Sequence, residues 1–153
     1  LAWCGRQGFD LALIEAMPLG DVAIDRRHAH LPLDQVRKQI ERDFTLAPSL
    51  HRTAGPARYF DVAETGTRLG LITPLSDNFC AACNRIRIAA TGTVFGCLGH
   101  DQKVELRDII RAGGGGALDR ALDTLLAGKP LRHEFDIERA GPAVARHMNL
   151  TGG

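Results

Sequence analysis

At 153 residues, with 44% hydrophobic and 24% charged side chains, the chain has the make-up of one folded domain, which excludes a wholly disordered polymer and a disulfide-stapled miniprotein. Nineteen basic against eighteen acidic residues leave a net charge of +1, which argues against a general attraction for nucleic acid or anionic lipid. No apolar run is long enough to span a membrane, and Leu1-Ala2-Trp3-Cys4 offers no leader-like pattern, so a cytoplasmic protein is expected; the missing initiator Met points to the C-terminal part of something longer.

Residues 10–17 form a nearly continuous apolar run closed by Pro18, which suits a strand buried on both faces in a parallel sheet, a signature that a short buried helix shares. Glu15 interrupts it, and a carboxylate there is expected to face a polar cavity or a basic partner. Residues 20–31 read as loop. Leu33, Val36, Ile40 and Phe44 recur at helical spacing after Pro32, predicting an amphipathic helix that ends before Pro48. Arg58–Val62 and Leu69–Thr73 are expected strands turning at Gly66, and Arg85–Ala90 and Thr93–Cys97 a second pair around Thr91-Gly92. Val104–Ala112 and Ala117–Ala127 carry helical patterns, with Gly113–Gly116 a flexible joint between them. The tail from residue 131 has little periodicity.

Cys80 and Cys83 enclose two residues, and Cys97 follows after thirteen more. A two-residue gap lets both sulfurs turn toward one metal. With Thr91-Gly92 as a two-residue turn, Cys97 falls opposite Ile86, one residue off if a bulge intervenes, and the three thiolates are expected to meet. On spacing alone a structural zinc is favoured, since His100 completes a Cys3His set. An iron-sulfur cluster on three Cys ligands, with one iron open, is the rival, and a redox thiol pair ranks third. Strand alternation places Arg85 and Arg87 on the face of Cys83, with Ile86 and Ile88 toward the core. Two guanidiniums beside a metal fit an anionic ligand such as a nucleotide phosphate, the plainer reading being pairs with acids such as Asp77. Cys4 reads as a small core residue.

The segment from Gly70 through Cys97, GLITPLSDNFCAACNRIRIAATGTVFGC, closely resembles the C-terminal part of the molybdenum cofactor biosynthesis protein A family, the radical SAM GTP 3′,8-cyclases. Ile14-Glu15-Ala16-Met17-Pro18, Gly55-Pro56-Ala57-Arg58-Tyr59, Leu106-Arg107-Asp108 with Arg111, Lys129-Pro130 with His133, and the closing Gly152-Gly153 extend the likeness in order over essentially the whole chain.

The resemblance implies an α/β fold: residues 1–31 the last strand of an incomplete radical SAM barrel with its following loop, and residues 32–153 a small antiparallel sheet with helices carrying a C-terminal iron-sulfur cluster. It implies a second [4Fe-4S] cluster on Cys80, Cys83 and Cys97 with an open iron for the guanine of GTP, so that zinc becomes the runner-up. Arg85, Ile86 and Arg87 align with the GTP-contacting segment, Met17 with a residue that touches S-adenosylmethionine, and Gly152-Gly153 with a tail that reaches the active site. The implied reaction is the SAM-dependent radical cyclisation of GTP in molybdenum cofactor biosynthesis, with a homodimer and a downstream cyclic pyranopterin monophosphate synthase as partners. The Cys-x3-Cys-x2-Cys triad that holds the family's first [4Fe-4S] cluster is not in these residues, so this polypeptide alone is expected to lack cyclase activity; no catalytic residue is assigned. An exposed sheet edge is expected near residues 1–20, and His100 has no counterpart among the usual ligands.

Overall fold

The computed structural model describes residues 1–20, 28, 30–113, 115–139 and 141–151, which divide into two compact units. The first takes the described residues within Leu1–Met17 and Arg26–Phe79, the second those within Pro18–Asp25 and Cys80–Gly153. Most of the loop read at 20–31, Gly114 of the expected joint, and Gly152-Gly153 lie outside the described residues. The whole is a mixed α/β chain with two sheets, and no described helix is long and apolar enough to cross a membrane.

In the first unit a short helix α1 (Ala2–Arg6) leads into β1 (Leu11–Ile14), followed by α2 (Leu33–Ile40), β2 (Leu46–Pro48), β3 (Arg58–Val62) and β4 (Arg68–Ile72). The sheet order is β1-β4-β3-β2. β1 runs parallel to β4, Leu11 opposite Leu69 and Ile14 opposite Ile72, as the apolar run implies. β1 is not buried on both faces, however: it lies at the end of the sheet order, Leu11 and Leu13 are half-buried, and Ala12 and Ile14 are exposed. Among the described residues β1 is thus an outermost strand of its sheet. β3 and β4 form the predicted hairpin, with Tyr59 opposite Gly70, where an added Cβ would come within 2.9 Å of the Tyr59 ring and only glycine fits.

The helix ends at Ile40, four residues short of Phe44. A turn follows, closed by the Phe44 amide donating to the Ile40 carbonyl at 3.0 Å, and the chain then pairs with β3, Leu46 against Val62. Pro48 is tolerated because it lies in the sheet's other outermost strand. The Thr45 amide donates to both oxygens of Glu64, at 2.8 and 2.9 Å. Leu33 from the helix packs with Val62, Leu69 and Leu71 from the sheet, and Val36, Ile40, Phe44 and Phe60 close around them, so the helical stripe does cover the sheet as its spacing predicts.

The second unit is built on the antiparallel sheet β5 (Arg87–Ile88), β6 (Thr93–Phe95) and β7 (Lys103–Glu105), followed by α3 (Leu106–Arg111) and α4 (Gly115–Ala127). The helix expected from Val104 begins only at Leu106, since β6 recruits Lys103–Glu105 as its partner, Val104 opposite Val94. Val94 and Leu125 are almost fully buried and anchor the unit's apolar core. Thr93 donates its hydroxyl to Glu105 at 2.6 Å, which with Lys103 and Arg107 holds that exposed carboxyl below its ordinary range. The tail returns to the start of this unit, Leu19 bridging to Val144 in parallel.

Candidate metal and nucleotide site

Cys80 opens a single 3-10 turn, Cys80–Ala82, and the Cys83 amide donates to the Cys80 carbonyl at 3.0 Å. The two-residue spacing therefore becomes a closed knuckle. Across the hairpin, Arg87 lies opposite Phe95 and Ile88 opposite Val94. The Ala89 amide donates to the Thr93 carbonyl and Gly92 to that of Ala89, so the loop has three residues, with Gly92 at φ +85°. That is the bulged register: continued beyond the ladder, it sets Cys97 against Arg85 rather than Ile86.

The ladder itself is shorter than its sequence pattern. β5 begins at Arg87 and β6 ends at Phe95, so neither Cys83 nor Cys97 is held by strand pairing. The alternation that put residues 83, 85 and 87 on one face has no strand to act on before Arg87. Ile88, expected in the core, is 59% exposed, and Ile86 is half-buried. All three cysteines are half-buried. Among the described residues, no three His, Cys, Asp or Glu side chains stand close enough to hold a metal, so the three sulfurs do not form the closed trio expected from local geometry. The chemistry of the donor set still fits a thiolate-held group: three cysteines in one unit, two of them on a closed turn.

Cations surround these segments. Lys129 directs its ammonium to the Cys83 sulfur at 3.7 Å and to the Arg85 carbonyl at 2.5 Å. Arg87 is half-buried, and its Nε is buried without a hydrogen-bond partner, the kind of orphaned donor that an anionic ligand would satisfy. Asp77, the acid offered as an alternative partner for these arginines, is ion-paired to Arg58. His100 has its Nε2 3.3 Å from the Arg132 carbonyl, a contact that engages one of the two ring nitrogens a zinc could use.

Met17 is half-buried in the first unit, whereas the cysteines and Arg85–Arg87 belong to the second. The Gly152-Gly153 tail lies outside the described residues; the chain is described up to Thr151, which is buried and donates its hydroxyl to the Met148 carbonyl at 3.1 Å.

Sequence reasoning missed three polar devices. Glu15 is only 2% exposed, and its described partners are backbone and hydroxyl donors. Its carboxylate accepts the amides of Leu33 at 3.2 Å, Leu75 at 2.8 Å and Ser76 at 3.0 Å, and the Ser76 hydroxyl as well. Burial pushes this carboxyl up, but the Ser76 hydroxyl and amide and the amides of Leu75 and Leu33 outweigh it and hold the group below its ordinary value. Pro32, the residue at the helix N-cap, offers no side-chain oxygen, so Glu15 supplies the acceptor that caps α2. The other two devices are Lys129 and Arg146, whose contacts no periodicity in the tail announces.

The family described as Molybdenum Cofactor Synthesis C matches residues 9–135. The chain is 50% identical to a GTP 3′,8-cyclase of Sinorhizobium medicae over all of this chain and 45% of the relative. It is 52% identical to one of Erythrobacter litoralis over all of this chain and 47% of that protein, and 50% identical to one of Agrobacterium fabrum over 96% and 43%. The chain thus spans less than half the length of these curated relatives.

Proposed function

Because the chain belongs to the Molybdenum Cofactor Synthesis C family, we propose that it is the C-terminal, substrate-binding part of a GTP 3′,8-cyclase, a radical SAM lyase of molybdenum cofactor biosynthesis. Cys80, Cys83 and Cys97 would hold a [4Fe-4S] cluster, and Arg85, Ile86 and Arg87 would line the nucleotide. When bound, the cluster supplies an iron site that can accept a donor atom of the purine. Everything else is the work of this chain's own residues. The knuckle presents two sulfurs from one turn, Lys129 balances the charge gathering at Cys83, and the planar forks of Arg85 and Arg87 orient an anion.

The single observation that carries this reading is the closed Cys80–Cys83 knuckle in the same unit as Arg87, whose Nε is a buried donor without a partner. Met17 is proposed as the S-adenosylmethionine contact and Gly152-Gly153 as a tail that approaches the substrate. Both need the remainder of a longer protein: a first [4Fe-4S] cluster, and a barrel completed beyond residues 1–31, with residues 32–153 as the cluster-bearing part. A homodimer and a cyclic pyranopterin monophosphate synthase acting on the product belong to the same proposal.

Anaerobic reconstitution of the chain followed by iron, sulfide and zinc analysis tests it. Iron and sulfide in equal amounts are expected, with Cys97→Ser abolishing both, and GTP binding that falls in Arg85→Ala and Arg87→Ala. Loading of zinc alone, dependent on His100, would establish the Cys3His structural module instead. Unchanged GTP binding in both arginine variants would remove their assigned role.

A further inference from the structure

Arg146 lies in the tail, forty-nine residues after Cys97, yet both amino groups of its guanidinium are spent on the loop that carries that cysteine, its Nε being buried without a partner. Its Nη2 donates to the carbonyls of Leu98 at 2.9 Å and His100 at 3.0 Å, with a longer approach to that of Cys97 at 3.4 Å. Its Nη1 pairs with Asp101 at 2.8 Å, and its planar carbon stacks 3.9 Å over the Phe95 ring. The side chain is only 10% exposed, while Asp101 is 75% exposed, so the contacts that bury it are those to the loop and the ring.

The loop needs such a donor. The β6 ladder stops at Phe95, and beyond it the carbonyls of residues 97–100 have no strand to pair with; backbone acceptors in a half-buried loop must find donors elsewhere. One planar fork that stacks on an aromatic and points two amino groups at a turn meets this need, and a lysine, a point charge on a flexible stem, does not. Phe95 and Arg146 thus fix, from the end of the strand and from the tail, the position at which Cys97 leaves the sheet.

We propose that Arg146 is the positioning residue for Cys97: it sets the backbone of residues 97–101 and through it the direction of the third sulfur, without touching the nucleotide. The inference rests on the reading of Cys97 as a ligand only for its consequence at the cluster, and its structural part stands apart from that reading.

The test uses the intact chain in two arms. Without metal, Arg146→Gln is expected to raise amide hydrogen exchange in residues 98–101 about tenfold or more, as for a lost charge-assisted anchor. Alkylation of Cys97 should accelerate while Cys80 and Cys83 keep their rates, and Arg146→Lys should not restore either. After anaerobic reconstitution, the electron paramagnetic resonance signature of the reduced cluster should shift in Arg146→Gln relative to the parent. Should circular dichroism show that Arg146→Gln has lost its fold, Asp101→Asn, at an exposed position, carries the same measurement with a smaller rise of roughly threefold. Unchanged exchange and unchanged Cys97 alkylation in the folded variant overturn the proposal, as does full rescue by Lys. If the chain loads zinc and no iron, the cluster reading falls while the metal-free arm still decides the role of Arg146.

Discussion

The two units solve the same problem, a polar group inside a small core, in opposite ways. In the first, Glu15 is buried and every donor around it is answered: three amides and one hydroxyl converge on one carboxylate. In the second, Lys129, just after α4, and Arg146, in the tail, reach the segments that carry the cysteines, and Arg87 and Arg146 each keep a buried Nε with no partner. A closed network of the first kind stabilises a fold and has nothing left for a ligand. A site of the second kind is held from outside and retains a donor for something not yet bound, which is where binding chemistry belongs.

The largest effect should come from breaking the closed network. Glu15→Ala leaves the amides of Leu33, Leu75 and Ser76 facing a void, and the expected loss is about 3–5 kcal/mol in urea unfolding followed by circular dichroism. The pH dependence follows from the same contacts. The folded-state pKa of Glu15 lies below its ordinary value of 4.5, so its contribution is present in full above that pH and is lost as the pH falls through the depressed folded value. Unfolding midpoints measured from pH 7 down to pH 3 should show this decline in the parent chain and a flatter profile in Glu15→Gln. A parallel decline in both would assign the acid sensitivity to other carboxylates.

An intermediate effect is expected where the second unit depends on its hairpin. Gly92 has φ +85°, and an added Cβ would lie 3.1 Å from Cβ of Arg107 and 3.4 Å from its amide nitrogen. Gly92→Ala should therefore cost about 1–2 kcal/mol from the left-handed backbone alone, read as a lower urea midpoint with the slope unchanged. Since Gly92 closes the hairpin after which Cys97 follows, the same variant should also load less iron.

What the sequence made legible was local. Alternation and a turn glycine predict the β3–β4 hairpin, and the nearly continuous apolar run predicts a parallel partner for β1. β2 was hidden because Leu46–Pro48 becomes a strand only through pairing with residues 60–62, and nothing within its own three residues competes with the helical stripe before it. β7 was hidden for a similar reason, Val104 fitting the period of the helix that follows it. At the site, the cysteines announce themselves by spacing, but the face on which Arg85 was placed assumed a ladder longer than the one that forms. Glu15 was conspicuous as a charge, while its partners, being backbone amides, leave no mark in a sequence. Arg146 is one of the chain's sixteen arginines and lies in a tail without periodicity, and only the fold selects it.

The smallest change in stability, and the sharpest test of the contrast, belongs to Arg87. Arg87→Met keeps an unbranched apolar stem on β5 and removes a buried donor that has no partner, so unfolding should move by less than about 0.5 kcal/mol. If that donor is reserved for an anion, the same variant of the reconstituted chain should bind GTP about tenfold more weakly, a loss of about 1.4 kcal/mol, as read by equilibrium dialysis. Glu15→Gln should show the reverse, a loss of stability with GTP affinity retained in whatever fraction remains folded. A large stability loss in Arg87→Met with no change in GTP affinity would place Arg87 with Glu15, as a structural residue whose orphaned nitrogen has no functional meaning.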